Sequence, residues 1–255
     1  MSRNKRRNKQ IPQEDLEELD DFLNSRNLEE EKLFQLMKIN VKAKTENQKK
    51  LMKSIRDNMI TIASGLPGTG KTFLACAEGL KLIKSKNPGK YKRIVLIKSV
   101  TTLKNEEIGF LKGSMEEKMA PFVDSFMDNF RKLIGSMRTE RLKQLGLIEV
   151  LPIAFARGRS IDNSIIIIDE AQNISMDNIR TLMTRIGNDS KMVIIGDVKQ
   201  KDIRNKKDSS LEFVLEKFDG VEGFGTVTLR DEGDVVRNPI IKIIEDTFDE
   251  IEENK

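Results

Sequence analysis

Two clusters of residues carry the types and spacing that phosphate chemistry requires. The first is Gly65-Leu66-Pro67-Gly68-Thr69-Gly70-Lys71-Thr72, which fits the phosphate-loop pattern G-x-x-x-x-G-K-[ST]. Its glycines let the backbone turn with N–H groups aimed inward at phosphate oxygens, where a Cβ would obstruct. Lys71 can then reach the β- and γ-phosphates, and the Thr72 hydroxyl can ligate Mg²⁺. A helix opening at Phe73 adds further N–H donors and a favourable dipole. The second cluster is Asp169-Glu170, which ends the apolar run Ile165-Ile166-Ile167-Ile168. Asp169 would hold Mg²⁺ through its water shell, and Glu170 would orient and deprotonate an attacking water. After a further apolar run, Lys191–Gly196, come Asp197 and Gln200, and a polar side chain there can sense the γ-phosphate.

These groups need a scaffold that brings them to one edge. The apolar run 59–64 reads as a buried strand entering the loop, and 73–83 as a helix with Leu74, Ala77, Leu80 and Leu82 inward. Further strands are expected at Arg93–Lys98, 148–153, Ser164–Asp169, Lys191–Gly196 and 226–229. Between them lie a polar loop at 101–110, where an α/β sheet presents its ligand-facing edge, and a helix at 115–134. That helix is striped by Met119, Phe122, Val123, Phe126, Met127, Phe130 and Leu133, with Pro121 kinking it or marking its start. A short helix at 140–145 completes a hairpin. Pro239 opens a last helix with Ile240, Ile244, Phe248 and Ile251 inward. Strands alternating with helices indicate an α/β fold.

Composition bounds the rest. With 255 residues and 38% hydrophobic content, the chain can bury a core. A net charge of +4 is weak, but Arg3, Lys5, Arg6, Arg7 and Lys9 form a basic arm, expected to be disordered, and 246–253 is acidic. The absence of histidine excludes His-based triads and His-containing zinc sites. A single cysteine, Cys76, excludes an internal disulfide and reads as a small buried residue. With no apolar run near the ~20 residues needed to span a membrane and no signal-peptide core, a cytoplasmic protein is expected. Residues 12–37 read as an acidic amphipathic helix, so the expected domains are an extension at 1–44 and a nucleotide-binding α/β domain at 45–255 with a hairpin insert near 114–146.

The phosphate loop, Asp169-Glu170-Ala171-Gln172-Asn173 and Gly196-Asp197-x-x-Gln200 together resemble the first motor domain of superfamily 1 helicases. The resemblance narrows to the PhoH-like ATPases through Ile108-Gly109-Phe110-Leu111-x-Gly113 with Glu117-Lys118, and through Ala156-Arg157-Gly158-Arg159. Thr184-Arg185-Ile186-Gly187, Ser190-Lys191-Met192 and Val235-Val236-Arg237-Asn238-Pro239 agree. It covers about 45–249 and implies a single RecA-like domain, a parallel sheet flanked by helices with ATP and Mg²⁺ at its C-terminal edge, together with ATP hydrolysis and an RNA-related or helicase-like role. It also gives Gln48 the task of reading the adenine edge; taken alone, Gln48 is a solvated surface residue. Lys98, Ile203-Arg204, Lys112 and Asn238 depart from the family's usual arginine, Leu-Pro, proline and histidine.

Helicases of this superfamily complete their site with arginines from a second motor domain, which the chain is expected to lack. Arg185, Arg237, Arg157 and Arg159 are the candidates for an arginine finger, each otherwise an ordinary surface ion pair. Donation across a subunit boundary, in a homo-oligomeric ring such as a hexamer, is the simplest arrangement. RNA or single-stranded DNA is the expected macromolecular partner, with Phe110 or Phe155 available for base stacking. The competing reading is a nucleotide-controlled binding module whose slow hydrolysis resets an interaction. A small-molecule kinase fits less well, because Asp169-Glu170 with Gln200 suits water as the acceptor.

Overall fold

The apolar runs of the sequence become six strands of one parallel sheet, whose shared direction brings every strand's C-terminal end to the same edge. The structure, a computed structural model, describes residues 13–85, 90–98, 115–156, 158–200, 210–231, 233–238 and 240–253. The basic arm, the loop at 101–110 with Phe110, and Arg157 lie outside them.

The chain divides into two compact units, Met1–Lys38 and Ile39–Lys255. The first contains helix α1, Gln13–Leu36. The second therefore begins a few residues before the expected boundary at 44/45. In it, α2 (Glu46–Asp57) is capped by Thr45, whose hydroxyl accepts from Gln48 N–H. Then come β1 (Ile60–Gly65), α3 (Lys71–Lys84), β2 (Arg93–Lys98), the hairpin α4 (Met115–Ile134) and α5 (Ser136–Gln144), and β3 (Ile148–Val150). They are followed by α6 (Ile153–Ala156), β4 (Ser164–Asp169), α7 (Met176–Met183), β5 (Lys191–Gly196), α8 (Ser210–Lys217), β6 (Phe224–Leu229) and α9 (Ile240–Glu253). The sheet order is β3-β2-β4-β5-β1-β6. This is the RecA-like P-loop NTPase architecture. The strand that enters the phosphate loop is separated from the strand that carries the carboxylates by β5 alone.

Central strands buried on both faces explain why their sequences are continuous apolar runs instead of alternating ones. Ile60, Ile62, Ile166, Ile168, Met192 and Ile194 form one core with Ile179, Leu182, Leu211 and Val214 from α7 and α8. Sequence periodicity assigned no element to α7 or α8. Against the sheet, α3 buries Leu74, Ala77 and Leu80 as expected, and Cys76 is fully buried. Ile83 is the inward residue in place of Leu82. Also in α3, Glu78 is fully buried and accepts from both Arg56 of α2 and Lys81.

Three expected elements are corrected. The strand at 148–153 ends at Val150: Leu151 N–H makes the last bond, to Leu96 O (2.8 Å), and Pro152 has no N–H with which to continue. The hairpin's second helix begins earlier, at Ser136. In α9 the stripe expected inward faces out, with Ile240 50%, Ile244 46%, Phe248 63% and Ile251 47% exposed. The residue of α9 that turns toward the phosphate loop is instead half-buried Ile241, whose Cδ1 would lie 3.1 Å from a Cβ on Gly68.

Gly65 shows how closely β1 and β6 are joined. It pairs with Leu229, and a Cβ at Gly65 would lie 2.7 Å from both the Leu229 Cβ and its carbonyl oxygen. The backbone there cannot yield as a flexible side chain does. Gly65→Ala should therefore push the two strands apart and cost about 1–3 kcal/mol. Thermal unfolding should register a fall of about 2–4 °C per kcal/mol, and an unchanged midpoint would show that the β1–β6 contact tolerates the methyl.

Candidate active site

The phosphate loop leaves the tip of β1 already closed on itself. Gly68 and Gly70 take left-handed backbone angles (φ 81° and 82°), which side-chain-bearing residues rarely adopt. Buried Thr69 ties the turn, its hydroxyl donating to Leu66 O (2.8 Å). Lys71, Thr72 and Phe73 open α3, where first-turn N–H groups have no intrahelical partner. Lys71 is folded into the cradle, donating from Nζ to Gly65 O (2.6 Å) and Leu66 O (3.0 Å). Burial lowers its pKa, against the opposing pull of Asp197, Asp169 and Glu170. It thus lies at the floor of the loop and must swing from these carbonyls to meet a phosphate.

Gln48 is buried, not a surface residue. Its amide donates to Thr69 O (2.9 Å) and accepts from Lys44 N–H (2.7 Å). Both of its ends are thereby engaged in holding the loop. A second brace runs through Asp234, which is 2% exposed and accepts from Thr45 Oγ1 and Asn47 Nδ2 at the start of α2. It anchors the segment that carries Arg237. There Val236 N–H donates to Gly68 O (3.1 Å), so Arg237, itself exposed, runs alongside the chain's own phosphate loop.

Across β5 from the loop, Asp169 ends β4 and accepts from Thr72 Oγ1 (3.1 Å). The two residues assigned to Mg²⁺ are therefore adjacent. The described residues contain no cluster of three or more carboxylate, His or Cys ligands. One hydroxyl and one carboxylate suit an ion that keeps several waters and takes its other ligands from substrate phosphates. Asp169 is pushed up to about 6, mainly by burial and also by Glu170, with Lys98 at the tip of β2 pulling the other way.

Glu170 turns out of the strand in a left-handed conformation (φ 54°), uncommon for a residue with a side chain. Its carboxylate accepts from Gln172 Nε2 (2.7 Å), while Gln172 Oε1 accepts from Asp197 N–H at the tip of β5 (3.0 Å). Gln172 is 2% exposed, and a Cβ on Gly196 would fall 2.3 Å from its Oε1. Gln172 thus links the expected base to the neighbouring strand. The sequence signalled it only as a letter in Asp169-Glu170-Ala171-Gln172-Asn173.

Other candidates disperse. Gln200 is exposed and donates to Glu245 of α9 (3.2 Å). Arg159 pairs with Glu149 (2.8 Å) in an exposed ion pair. Arg185 lies at the opposite edge of the sheet, where its carbonyl accepts from Ile161 N–H just before β4 begins (2.9 Å). A six-residue strand separates it from the phosphate loop of its own chain, roughly 20 Å.

Residues 40–249 match the family described as PhoH-like protein. The chain belongs to the PhoH-like family. Its PhoH-like relatives include one from Bacillus subtilis (strain 168), 34% identical over 82% of this chain and 64% of the relative. Another, from Synechocystis sp., is 33% identical over 83% of this chain and 63% of the relative. The chain thus spans less than two thirds of the length of these PhoH-like proteins. Among solved structures, the large terminase from a thermophilic bacteriophage aligns with a TM-score of 0.45 and 10% identity, over 79% of this chain and 49% of that one. No helix among the described residues is long and apolar enough to cross a membrane.

The raised pKa of Asp169 has a signed consequence for stability. Its carboxyl titrates at about 6 in the folded chain against an ordinary 3.8. Between those values the folded state holds the extra proton, so its contribution to stability is present at low pH and is lost as pH rises through about 6. Without nucleotide or metal, Asp169→Asn should be more stable than the parent above about pH 7, by at most about 3 kcal/mol. The gap should close toward about pH 4. Denaturant unfolding of both proteins at the two pH values checks this, and a gap that does not change with pH would refute the shift.

Proposed function

We propose that this PhoH-like chain hydrolyses ATP with Mg²⁺ as cofactor, as a homo-oligomer acting on RNA or single-stranded DNA. The observation that carries the hydrolytic reading is the meeting of Thr72 with Asp169 at 3.1 Å, beside a Glu170 held by Gln172. The loop N–H groups and the start of α3 hold the phosphates, and Lys71, released from Gly65 O and Leu66 O, reaches the β- and γ-oxygens. Thr72 and Asp169 are the residues that would hold Mg²⁺, which when bound neutralises charge on those oxygens. Glu170 accepts a proton from the attacking water as its oxygen bonds to the γ-phosphorus; the bond to the β–γ bridging oxygen breaks, and its electron pair leaves with ADP. Asp197 N–H, through Gln172, keeps that carboxylate aimed.

The location of Arg185 supports completion by a neighbour. It cannot reach its own phosphate loop; its Nη2 donates to the adjacent Thr184 Oγ1 (3.4 Å), and its Nε is buried with no hydrogen-bond partner among the described residues. In a ring, one subunit's far edge meets the next subunit's loop, and Arg185 then serves as the finger in trans. Arg237, beside its own loop, acts in cis. The polynucleotide part rests on the motif likeness to helicase motors. It also draws on Phe155 in α6, 56% exposed at the ligand edge and available for stacking.

Glu170→Gln should leave ATP binding nearly unchanged while turnover falls by about 10²–10⁴; undiminished phosphate release would remove Glu170 from the role of base. Arg185→Ala alone should lose about 10³–10⁵ in rate. Mixing Arg185→Ala with Glu170→Gln subunits should recover part of the activity, because some interfaces regain an intact base and an intact finger. Absence of recovery would argue against completion in trans. Specific activity should also rise with protein concentration and with added RNA.

A further inference from the structure

Arg230 is a residue that neither motif nor spacing singled out. It follows β6 directly, and β6 pairs with β1 so that Leu229 lies opposite Gly65, where the phosphate loop begins. On the other side of β1, Gly196 lies opposite Ser64, which makes Asp197 the first residue beyond β5. The Arg230 guanidinium crosses the tip of β1 between these two strands and donates through Nη2 to Asp197 Oδ1. Lys199 N–H donates to the same oxygen (3.1 Å). Asp197 is 4% exposed, and its other oxygen, Oδ2, is buried without a hydrogen-bond partner among the described residues. Arg230 keeps 22% of its side chain accessible.

Two cations, Lys71 and Arg230, thus share the base of the loop with Asp197. A terminal phosphate entering there meets a buried carboxylate whose direct ion-pair partner among the described residues is Arg230, so Arg230 cannot leave it without weakening the neutralisation of a buried charge. A guanidinium has five N–H donors in a rigid fork, and the ion pair with Asp197 uses one group of them. The rest match phosphate oxygens in geometry and charge. We propose that Arg230 is a second cationic ligand for the terminal phosphate of the bound nucleotide, supplied by the chain itself and aimed by Asp197. The unmatched Asp197 Oδ2 then takes a donor that arrives or reorients with the ligand. This assignment rests on the nucleotide reading above and extends it: the site distinguishes triphosphate from diphosphate before any neighbour contributes.

The test measures binding of a non-hydrolysable ATP analogue and of ADP, with ATP turnover, for the full chain and for Lys71→Ala, Arg230→Gln, Asp197→Asn and the double variant Asp197→Asn/Arg230→Gln. Arg230→Gln should weaken the triphosphate at least tenfold and slow turnover, with ADP affinity changed by about twofold or less. The double variant should keep the triphosphate defect. Recovery of the double variant to the affinity of Asp197→Asn would show that Arg230 merely neutralises Asp197, and would overturn the proposal. Equal losses of ATP analogue and ADP would overturn it as well. Should Arg230→Gln lose its fold, seen as loss of ADP binding and of the unfolding transition, the double variant carries the test, because it strands no charge. A parent protein that binds no nucleotide, or binds it unaffected by Lys71→Ala, overturns the ATPase reading and this inference with it, an outcome distinct from every result above.

Discussion

Everything chemical in this protein depends on β1 being paired in parallel on both sides. Because β5 and β6 run with β1 and in register, Gly65, Asp197 and Arg230 leave the sheet at one level. Parallel strands require crossover connections that return over the sheet faces, and α3 is the crossover whose first turn faces the phosphate position. A glycine at the β1–β6 contact is the local condition, since Leu229 leaves no space for a Cβ. The loop can turn where it does because the strands beneath it are held that closely.

On this frame the site gathers acids and bases that would repel or neutralise each other elsewhere. Asp169 and Glu170 are consecutive, and their proximity together with burial lifts Asp169 toward neutrality. Lys71 is buried against loop carbonyls and loses some of its affinity for the proton. The arrangement by itself is therefore unfavourable for several of its charges. In the proposed reading, a nucleotide with its metal would supply the charges that these groups lack, so part of the binding energy would come from strain of electrostatic origin held by a rigid sheet.

Hydrogen bonds then connect the charged groups into a path. Asp197 is bonded to Arg230 through its carboxylate and to Gln172 through its N–H, and Gln172 holds Glu170. Ser64, just before the loop, accepts from Val198 N–H (3.2 Å). A change at the loop has a short physical route to Glu170, the proposed base, through the tip of β5. On the opposite side, Gln48 and Asp234 fix the loop to α2 and to the Arg237 segment.

The sequence alone determined the class of fold and pointed to phosphate chemistry. Gly65 to Thr72 and Asp169-Glu170 are legible because phosphate cradling and metal binding demand particular residue types at short spacing, and strands buried on both faces show as runs such as Ile165–Ile168. Those signals are local, so they survive in a string of letters. Tertiary structure decided what depends on partners far apart in the chain. Arg230 meets Asp197 across 33 residues and Asn47 meets Asp234 across 187, which no periodicity predicts. The outward face of α9 was misread for the same reason: an apolar stripe shows that a helix has a side to bury, but not which neighbour will cover it. Arg185 and Arg237 look equivalent as letters. The direction of the sheet separates them, one at each edge, because parallel strands carry all of their C-terminal ends to the same side.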